Sequence, residues 1–333
     1  MPRTFHLRTL SIVMLLCVQL MGYEVKVRVV DETGAQVAGA MTKIIFIDHG
    51  PETVHVGVSG LDGSFSARGR GTSSVMLKAS KDGYYPVRVE NLSKDKDHDM
   101  EVVLSRILNP LPLYAMRGLH PAFPVQDKWV GFDLEEADWV VPYGKGKVPD
   151  ILFRFKNEFK GWEKGLERDI DALIAETKRL AVLRKEEWTM ESFRMRNGEW
   201  DGVMEISFPD DAAGIVEEKR FFQYSLMKMP HLAPTEGYEP TRRYEVRAYH
   251  RAAARDDVGF FLRTRVRRDE KGRIVSANYA KIIGDFRVSA AGGNVKFSYY
   301  FNPVPNDRNL ECAPERNLFA APMHGGFVFN IEP

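Results

Sequence analysis

Cysteine is scarce in this chain, which has 333 residues and only Cys17 and Cys312. Cys17 falls in an N-terminal stretch that we expect to be removed, so the mature chain keeps one thiol and can form no internal disulfide. This excludes the small extracellular scaffolds that depend on several disulfides. The stability must therefore come from the burial of apolar side chains.

Net charge is almost absent, because 47 Lys and Arg oppose 46 Asp and Glu, for a formal charge of +1. Proteins that bind nucleic acid normally show a basic excess or stripe, so we predict no nucleic-acid partner. The hydrophobic share of 44% and the charged share of 28% are typical of a globular protein. The length favours two domains.

Motifs for metal binding and nucleophilic catalysis are also lacking. No two of the eight His have the i, i+4 spacing of a zinc-protease helix, and no G-x-S-x-G elbow occurs. Asp210-Asp211, Glu217-Glu218 and Asp256-Asp257 are adjacent acids, which we interpret as surface turns. A glycosidase needs two carboxyl groups that face each other across a cleft, and adjacency does not provide this. We predict no catalytic residue, no metal and no cofactor.

Long apolar runs are absent, and a short one stands at the N-terminus. Arg3 and Arg8 precede the uncharged segment 10–21, and Gly22 follows it. This layout predicts a secretory signal peptide over residues 1–22. The run is about a dozen residues, fewer than the roughly 18 that span a bilayer. An uncleaved anchor is the alternative. We expect an exported protein (periplasmic, cell-surface or extracellular) with no stable transmembrane segment after cleavage.

Residues 23–104 alternate between short apolar strands and turns. Val25, Val27 and Val29 share one face of the first predicted strand, with Lys26 and Arg28 on the other. Turn-forming pairs such as Asp62-Gly63 separate the later strands. Six or seven short strands in about 80 residues predict a β-sandwich.

The order of the turn residues in this segment resembles the carboxypeptidase regulatory-like domain. The similarity is carried by Asp31 to Gly34, Val37 and Gly39, 62–65 (Asp-Gly-Ser-Phe), 75–77 (Val-Met-Leu), and Gly83-Tyr84. The resemblance covers about a quarter of the chain. It implies a transthyretin-like sandwich of seven strands that serves exported proteins as a non-catalytic accessory module, related in fold to starch-binding domains. It implies no catalytic residues.

The remaining chain is predicted as a Pro-rich linker over 105–128 and a β-rich domain over 129–333. Four prolines punctuate the linker, which lacks clear periodicity. Six segments of the larger domain suit strands, and 163–185 predicts one amphipathic helix packed on a sheet. The segments 302–311 and 317–319 are similar to the ending of exported bacterial proteins that carry the same N-terminal module. The fold class is therefore mainly β.

Aromatic side chains are the best sequence lead to a ligand, although an isolated Trp is more often a core residue than a binding platform. Trp129, Trp139 and Tyr143 fall in the loop-rich start of the second domain, where they are candidate ligand-binding residues. Such rings stack on sugars and also anchor protein interfaces. We predict a non-enzymatic binding or structural protein that associates with polysaccharide or a cell-envelope component. The alternative is a secreted glycan-degrading enzyme with its active site in 129–333. A third class, a pilus-like or matrix scaffold, would need an exposed edge strand or intermolecular isopeptide chemistry.

Overall fold

The structure is a computed structural model that describes residues 22–71, 73–93, 96–166, 169–250 and 254–333. The chain is mainly β, as predicted, with 47% of its residues in strands and 9% in helices. It divides into two compact units. The first holds the described residues up to Leu108 together with Phe222–Lys228, and the second holds Asn109–Phe221 and Met229–Pro333. The predicted signal peptide falls on residues 1–21, outside the described residues, and on Gly22.

The first unit is a sandwich of seven strands, as predicted. They are β1 (Tyr23–Asp31), β2 (Met41–Ile47), β3 (Thr53–Val58), β4 (Ser64–Gly69), β5 (Ser74–Ser80), β6 (Val87–Leu92) and β7 (His98–Leu104). One sheet has the order β4-β1-β7 and the other β3-β2-β5-β6. Val25, Val27 and Val29 all point into the core, because alternate residues of a strand face the same side.

The segment Phe222–Lys228 completes this first unit from a distant part of the sequence. Arg88 donates its backbone N–H to the Tyr224 carbonyl at 3.0 Å, and Leu226 donates to the Pro86 carbonyl at 3.1 Å. These bonds satisfy backbone groups along β6, which is an edge strand. Tyr224 also packs against the core of the unit.

The described residues of the second unit form ten strands and two α-helices. The strands are β8 (Tyr114–Leu119), β9 (Val130–Asp133), β10 (Asp138–Trp139), β11 (Ile151–Trp162), β12 (Gly198–Ser207), β13 (Gly214–Glu218), β14 (Thr241–Val246), β15 (Gly259–Arg268), β16 (Ile274–Ser289) and β17 (Asn294–Asn302). The helices are α1 (Ile170–Arg184) and α2 (Met190–Asn197), and a short 3-10 helix spans Pro314–Arg316.

Two five-stranded sheets enclose the main core of the second unit. Their orders are β10-β9-β11-β12-β14 and β13-β15-β16-β17-β8. Aromatic rings from the two sheets meet in this core, as in the contact of Phe132 with Phe297 at 5.8 Å and of Phe153 with Phe286 at 6.2 Å. A smaller core, which includes Phe261, Leu310 and Cys312, lies on the other face of the second sheet.

The segment predicted as a linker differs from expectation. Within 105–128, Tyr114–Leu119 forms β8, which pairs with β17 at one edge of a sheet. Ala115, Met116 and Leu119 are fully buried there. The flanking prolines interrupt the alternating pattern before it is long enough to be recognised as a strand. The boundaries predicted for the signal peptide, the sandwich, the linker and the larger domain remain predictions.

The helical region contains two helices where the sequence predicted one. Both lie in the connection between β11 and β12, and Ala181 is the only buried residue of α1. The predicted apolar face is partly buried at Leu173, Ile174, Thr177 and Leu180, whereas Val182 and Leu183 are 78% and 66% exposed. The second helix, α2, was missed because it is short and polar. A capping box formed by Thr189 and Ser192 begins it.

Candidate binding surface

Trp139, one of the three candidate ligand-binding residues predicted from the sequence, belongs to the core. It is 3% exposed, and its indole N–H donates to the Ala122 carbonyl at 2.8 Å. Its ring packs against Phe132 and Phe153, with centroids 5.2 and 5.8 Å apart. A ring in this position cannot stack on a ligand. Its assignment as a binding residue is therefore wrong, because the short strand β10 directs it inward.

Trp129 is an exposed ring with an arginine beside it. It is 44% exposed, and the Arg154 guanidinium lies 5.2 Å from the ring centroid. Arg154 also bonds Glu205 at 2.7 Å, and Glu205 bonds Arg243 at 2.8 Å. Trp129 therefore borders a row of alternating charges on the outer face of the first sheet of the second unit. Such exposed ion pairs contribute little to stability.

Tyr143, 42% exposed, lies in a tight loop that Asp138 holds in place. The Asp138 carboxylate accepts the backbone N–H groups of Trp139 at 2.8 Å and Lys145 at 3.1 Å. Gly144 is required in this loop, because a Cβ there would lie 2.5 Å from the Trp139 carbonyl oxygen. The ring of Tyr143 is thus presented to solvent on a loop with a fixed backbone.

The same carboxylate joins this loop to the C-terminal segment. His324 Nε2 lies 2.8 Å from Asp138 Oδ1, and Lys145 Nζ lies 3.8 Å from the Met323 sulfur. Burial alone would raise the pKa of Asp138, but the Lys145 amide and the His324 ring outweigh it and hold the pKa below its usual range. Asp138 therefore stays ionised and anchors residues 323–324 beside the loop.

Two further aromatic rings follow this anchor and were missed in the sequence. Phe327 and Phe329 are 45% and 57% exposed, and their rings meet edge to face at 5.1 Å. The segment is fixed by an isolated bridge in which Arg117 and Phe327 exchange backbone hydrogen bonds of 2.9 and 2.8 Å. Contiguous exposed apolar surface is the kind that marks interaction sites.

Two basic side chains flank the ring pair. Arg117 donates to the Asn330 carbonyl at 3.3 Å. A Cβ at Gly118 would lie 3.4 Å from Lys296 Cε and 4.0 Å from Phe327 Cδ2, so Lys296 and the Phe327 ring both border Gly118. We call the set Arg117, Lys296, Phe327 and Phe329 the tail surface. It combines apolar ring faces with two positive charges.

A signal for the tail surface was present in the sequence. Residues 325–329 read Gly-Gly-Phe-Val-Phe, and the partly buried Val328 packs against the main core. Phe327 and Phe329, on either side of it, are exposed. Apolar residues on both sides of a partly buried one are a local signal of an exposed apolar patch. The sequence could not show that Arg117 and Lys296 lie beside it.

A groove of about 390 Å³ lies elsewhere on the second unit, beside β13. It is lined by Val216, Glu217, Glu218, Lys219, Arg220, Pro234 and Phe261. Arginines already engage both carboxylates. Glu217 accepts from Arg242 at 3.0 Å and Arg255 at 3.1 Å, and Glu218 accepts from Arg220 at 3.3 Å. The groove offers no exposed aromatic ring and fits a sugar less well than the tail surface.

The adjacent acids considered for glycosidase chemistry are bound by arginines. Arg268 bonds Asp210 at 2.8 Å and also bonds Asp211, while Arg287 bonds Asp256. The pKa of Asp210 is lowered, chiefly by Arg268. A general acid needs the opposite shift, because it must hold a proton near neutral pH. These pairs therefore act as surface ion pairs.

One carboxyl does have a raised pKa, and it is sealed in the core. Burial raises the pKa of Asp150, whose exposure is 0%. Arg265 binds both its oxygens, with Nε to Oδ1 at 2.8 Å and Nη2 to Oδ2 at 2.9 Å. The same guanidinium reaches Asp133 at 3.0 Å and Glu135 at 2.6 Å. No substrate can reach Asp150, so the cluster fixes the fold.

No group of three or more His, Cys, Asp or Glu residues that could hold a metal occurs among the described residues. In that part of the chain, no helix has the length and apolar character needed to cross a membrane. His324 with Asp138 supplies only two potential ligands.

The comparisons with known proteins do not extend this picture. No family model and no curated protein matches the chain. A dioxygenase domain from Streptomyces sp. SirexAA-E, a dioxygenase carbohydrate-binding protein fusion, aligns at 14% identity over 26% of this chain and 81% of its own, with TM-score 0.22. A proposed carbohydrate-binding protein from Bacteroides uniformis aligns at 8% identity over 83% and 95%, with TM-score 0.20. A DUF3823 family protein from Parabacteroides merdae aligns at 10% over 84% and 97%, with TM-score 0.19. Scores this low carry no argument about fold or function.

Proposed function

We propose that this chain is an exported, non-enzymatic binding protein and that its second unit binds polysaccharide or another cell-envelope polymer through the tail surface. The observation that carries the proposal is the pair Phe327 and Phe329, two half-exposed rings in mutual contact, with the basic side chains of Arg117 and Lys296 nearby. Ring faces offer a stacking platform for the C–H face of a sugar, and a rigid aromatic loses little conformational entropy on binding.

The charges of the tail surface favour an acidic polymer. Arg117 and Lys296 both lie beside the rings, and the nearby Asp138 is already paired with His324. A carboxylate or phosphate on the polymer would gain charge-assisted hydrogen bonds from these two donors. Exposed charge pairs are screened by salt, so we expect the affinity to fall as ionic strength rises.

The first unit has a supporting role in this proposal. Its seven strands agree with an accessory module of the carboxypeptidase regulatory-like type, which remains part of the proposal. Export rests on the predicted signal peptide. N-terminal sequencing of the secreted protein is expected to find Tyr23 or a residue close to it as the first residue, and a mature chain that begins at Met1 would contradict export by cleavage.

Affinity electrophoresis through gels that contain an acidic polysaccharide, such as polygalacturonate or alginate, tests the binding site. We expect the mature protein to be retarded, and Phe327→Ala with Phe329→Ala to abolish the retardation. Trp129→Ala tests the sequence-derived alternative, and Val304→Ala, another exposed apolar position, is the matched control. Retardation that survives the double substitution, or that is lost with Trp129→Ala instead, would place binding elsewhere. Gels with neutral cellulose or xylan test the role of charge.

A further inference from the structure

Strand β3 is an unprotected edge of the four-stranded sheet in the first unit. It pairs with β2 on one side, and no other described strand pairs with its free side. Its six residues, Thr53–Val58, read TVHVGV and include no charge and no proline. The free N–H and C=O groups of such a strand form a template on which another strand can add.

The other sheet edges in the described part of the chain are protected. Each edge strand there carries at least one charged residue, the usual device against strand addition. Examples are Arg68 of β4, Arg88 of β6, Glu101 of β7, Arg117 of β8, Asp138 of β10, Glu217 of β13 and Arg243 of β14. Strand β3 alone among them lacks this protection.

The outer face of β3 is apolar and exposed. Val54, Val56 and Val58 occupy alternate positions and are 44%, 59% and 57% exposed. On the adjacent strand, Met41 lies opposite Val58 and is 50% exposed. The free backbone edge and the apolar stripe therefore coincide, and both would be covered by one added strand.

We propose that β3 pairs antiparallel with β3 of a second copy of this chain. The three valines are spaced symmetrically about Val56, so a two-fold axis at Val56 places Val54 opposite the partner's Val58 and joins the two valine stripes. The strand contains no Lys, Arg, Asp or Glu, so self-pairing brings no like charges of these residues together on it. The outer face of β3 has no polar side chain that could select a peptide of different sequence. The pairing is isologous and merges two four-stranded sheets into one of eight.

Sedimentation velocity of the mature full chain over roughly a hundredfold concentration range tests the oligomeric state. We expect a reversible monomer–dimer equilibrium. Val56→Lys places two like charges at the axis and is expected to weaken association roughly tenfold or more. Val182→Lys makes the same change at an exposed valine of α1 and is expected to leave the equilibrium unaltered. A monomer at every concentration, or equal effects of the two lysines, overturns the proposal.

Disulfide trapping distinguishes self-pairing in this register from other contacts. In the mature chain the one native thiol, Cys312, is buried. Val56→Cys is expected to give a disulfide-linked dimer on oxidation, because facing residues of paired strands lie within disulfide range. Val54→Cys alone should give little, and a mixture of Val54→Cys with Val58→Cys should give the heterodimer. Equal cross-linking at 54 and 56 contradicts the two-fold axis, and β3 occupied by another protein's strand contradicts self-pairing.

Discussion

Asp31 allows the stability of the first unit to be tested against pH. Its carboxylate closes the turn after β1 by accepting the backbone N–H groups of Thr33 at 2.9 Å and Ala35 at 3.0 Å. The other oxygen bonds the Arg106 guanidinium. Burial alone would raise the pKa of Asp31, but the bonds from Thr33 and Arg106 prevail and lower it to about 2. Asp31→Asn keeps the shape and the turn and removes the charge.

The magnitude follows from the pKa, whose ordinary value is 3.8. Each pKa unit corresponds to about 1.4 kcal/mol, so the lowered pKa stabilises the ionised folded state by about 2 kcal/mol at pH 7. A lowered carboxyl pKa gives stability that is present above the unfolded pKa and is lost as pH falls through the folded pKa. At pH 3 about half of it remains.

Urea denaturation followed by far-UV circular dichroism measures this effect. We expect Asp31→Asn to lower the free energy of unfolding by about 2 kcal/mol at pH 7 and by about 1 kcal/mol at pH 3. Asp62→Asn is the matched control, because Asp62 also accepts a backbone N–H, from Ser64, but is exposed. The control substitution should lower the free energy of unfolding by less than Asp31→Asn does. A loss that is the same at both pH values would refute the assignment of the effect to the charge of Asp31.

Two further predictions concern the second unit. Arg265→Met leaves the buried Asp150 and Asp133 carboxylates without their arginine partner. It is expected to lower the free energy of unfolding by about 3 to 5 kcal/mol, measured by Trp fluorescence in urea. Arg268→Met, at the exposed end of the same strand, should cost under about 1 kcal/mol, and equal losses would contradict a special role for the buried cluster. Burial raises the pKa of the Cys312 thiol to about 11, so we expect iodoacetamide to modify it only after denaturation, as followed by mass spectrometry; rapid modification of the folded protein would argue against its burial.

Local patterns predicted the first unit well. The alternation at Val25, Val27 and Val29 needs no knowledge of partners, because the pleat alone puts them on one face. Glycine and aspartate mark the turns through local backbone preference, and Asp62-Gly63 does lie in the turn between β3 and β4. Neither signal depends on residues far away in the chain.

The environments of the candidate aromatic rings could not be predicted from the sequence, for a physical reason. Trp139 and Tyr143 are four residues apart, yet one is core and the other is exposed, because their environment is set by segments distant in sequence. The ring pair at 327 and 329 gains its basic neighbours from β8 and β17, about 30 residues away or more. The spacing of residues along the sequence does not indicate such contacts.

By itself the sequence determined that this protein is mainly β and that its first unit is a β-sandwich of short strands. These properties follow from residue periodicity and composition, which act over a few neighbours. Only the tertiary structure decided which aromatic rings are buried, which carboxylates are bound by arginines and which sheet edge lacks protection. Those depend on pairing between strands, because burial and charge pairing are properties of the packed chain and not of any one segment.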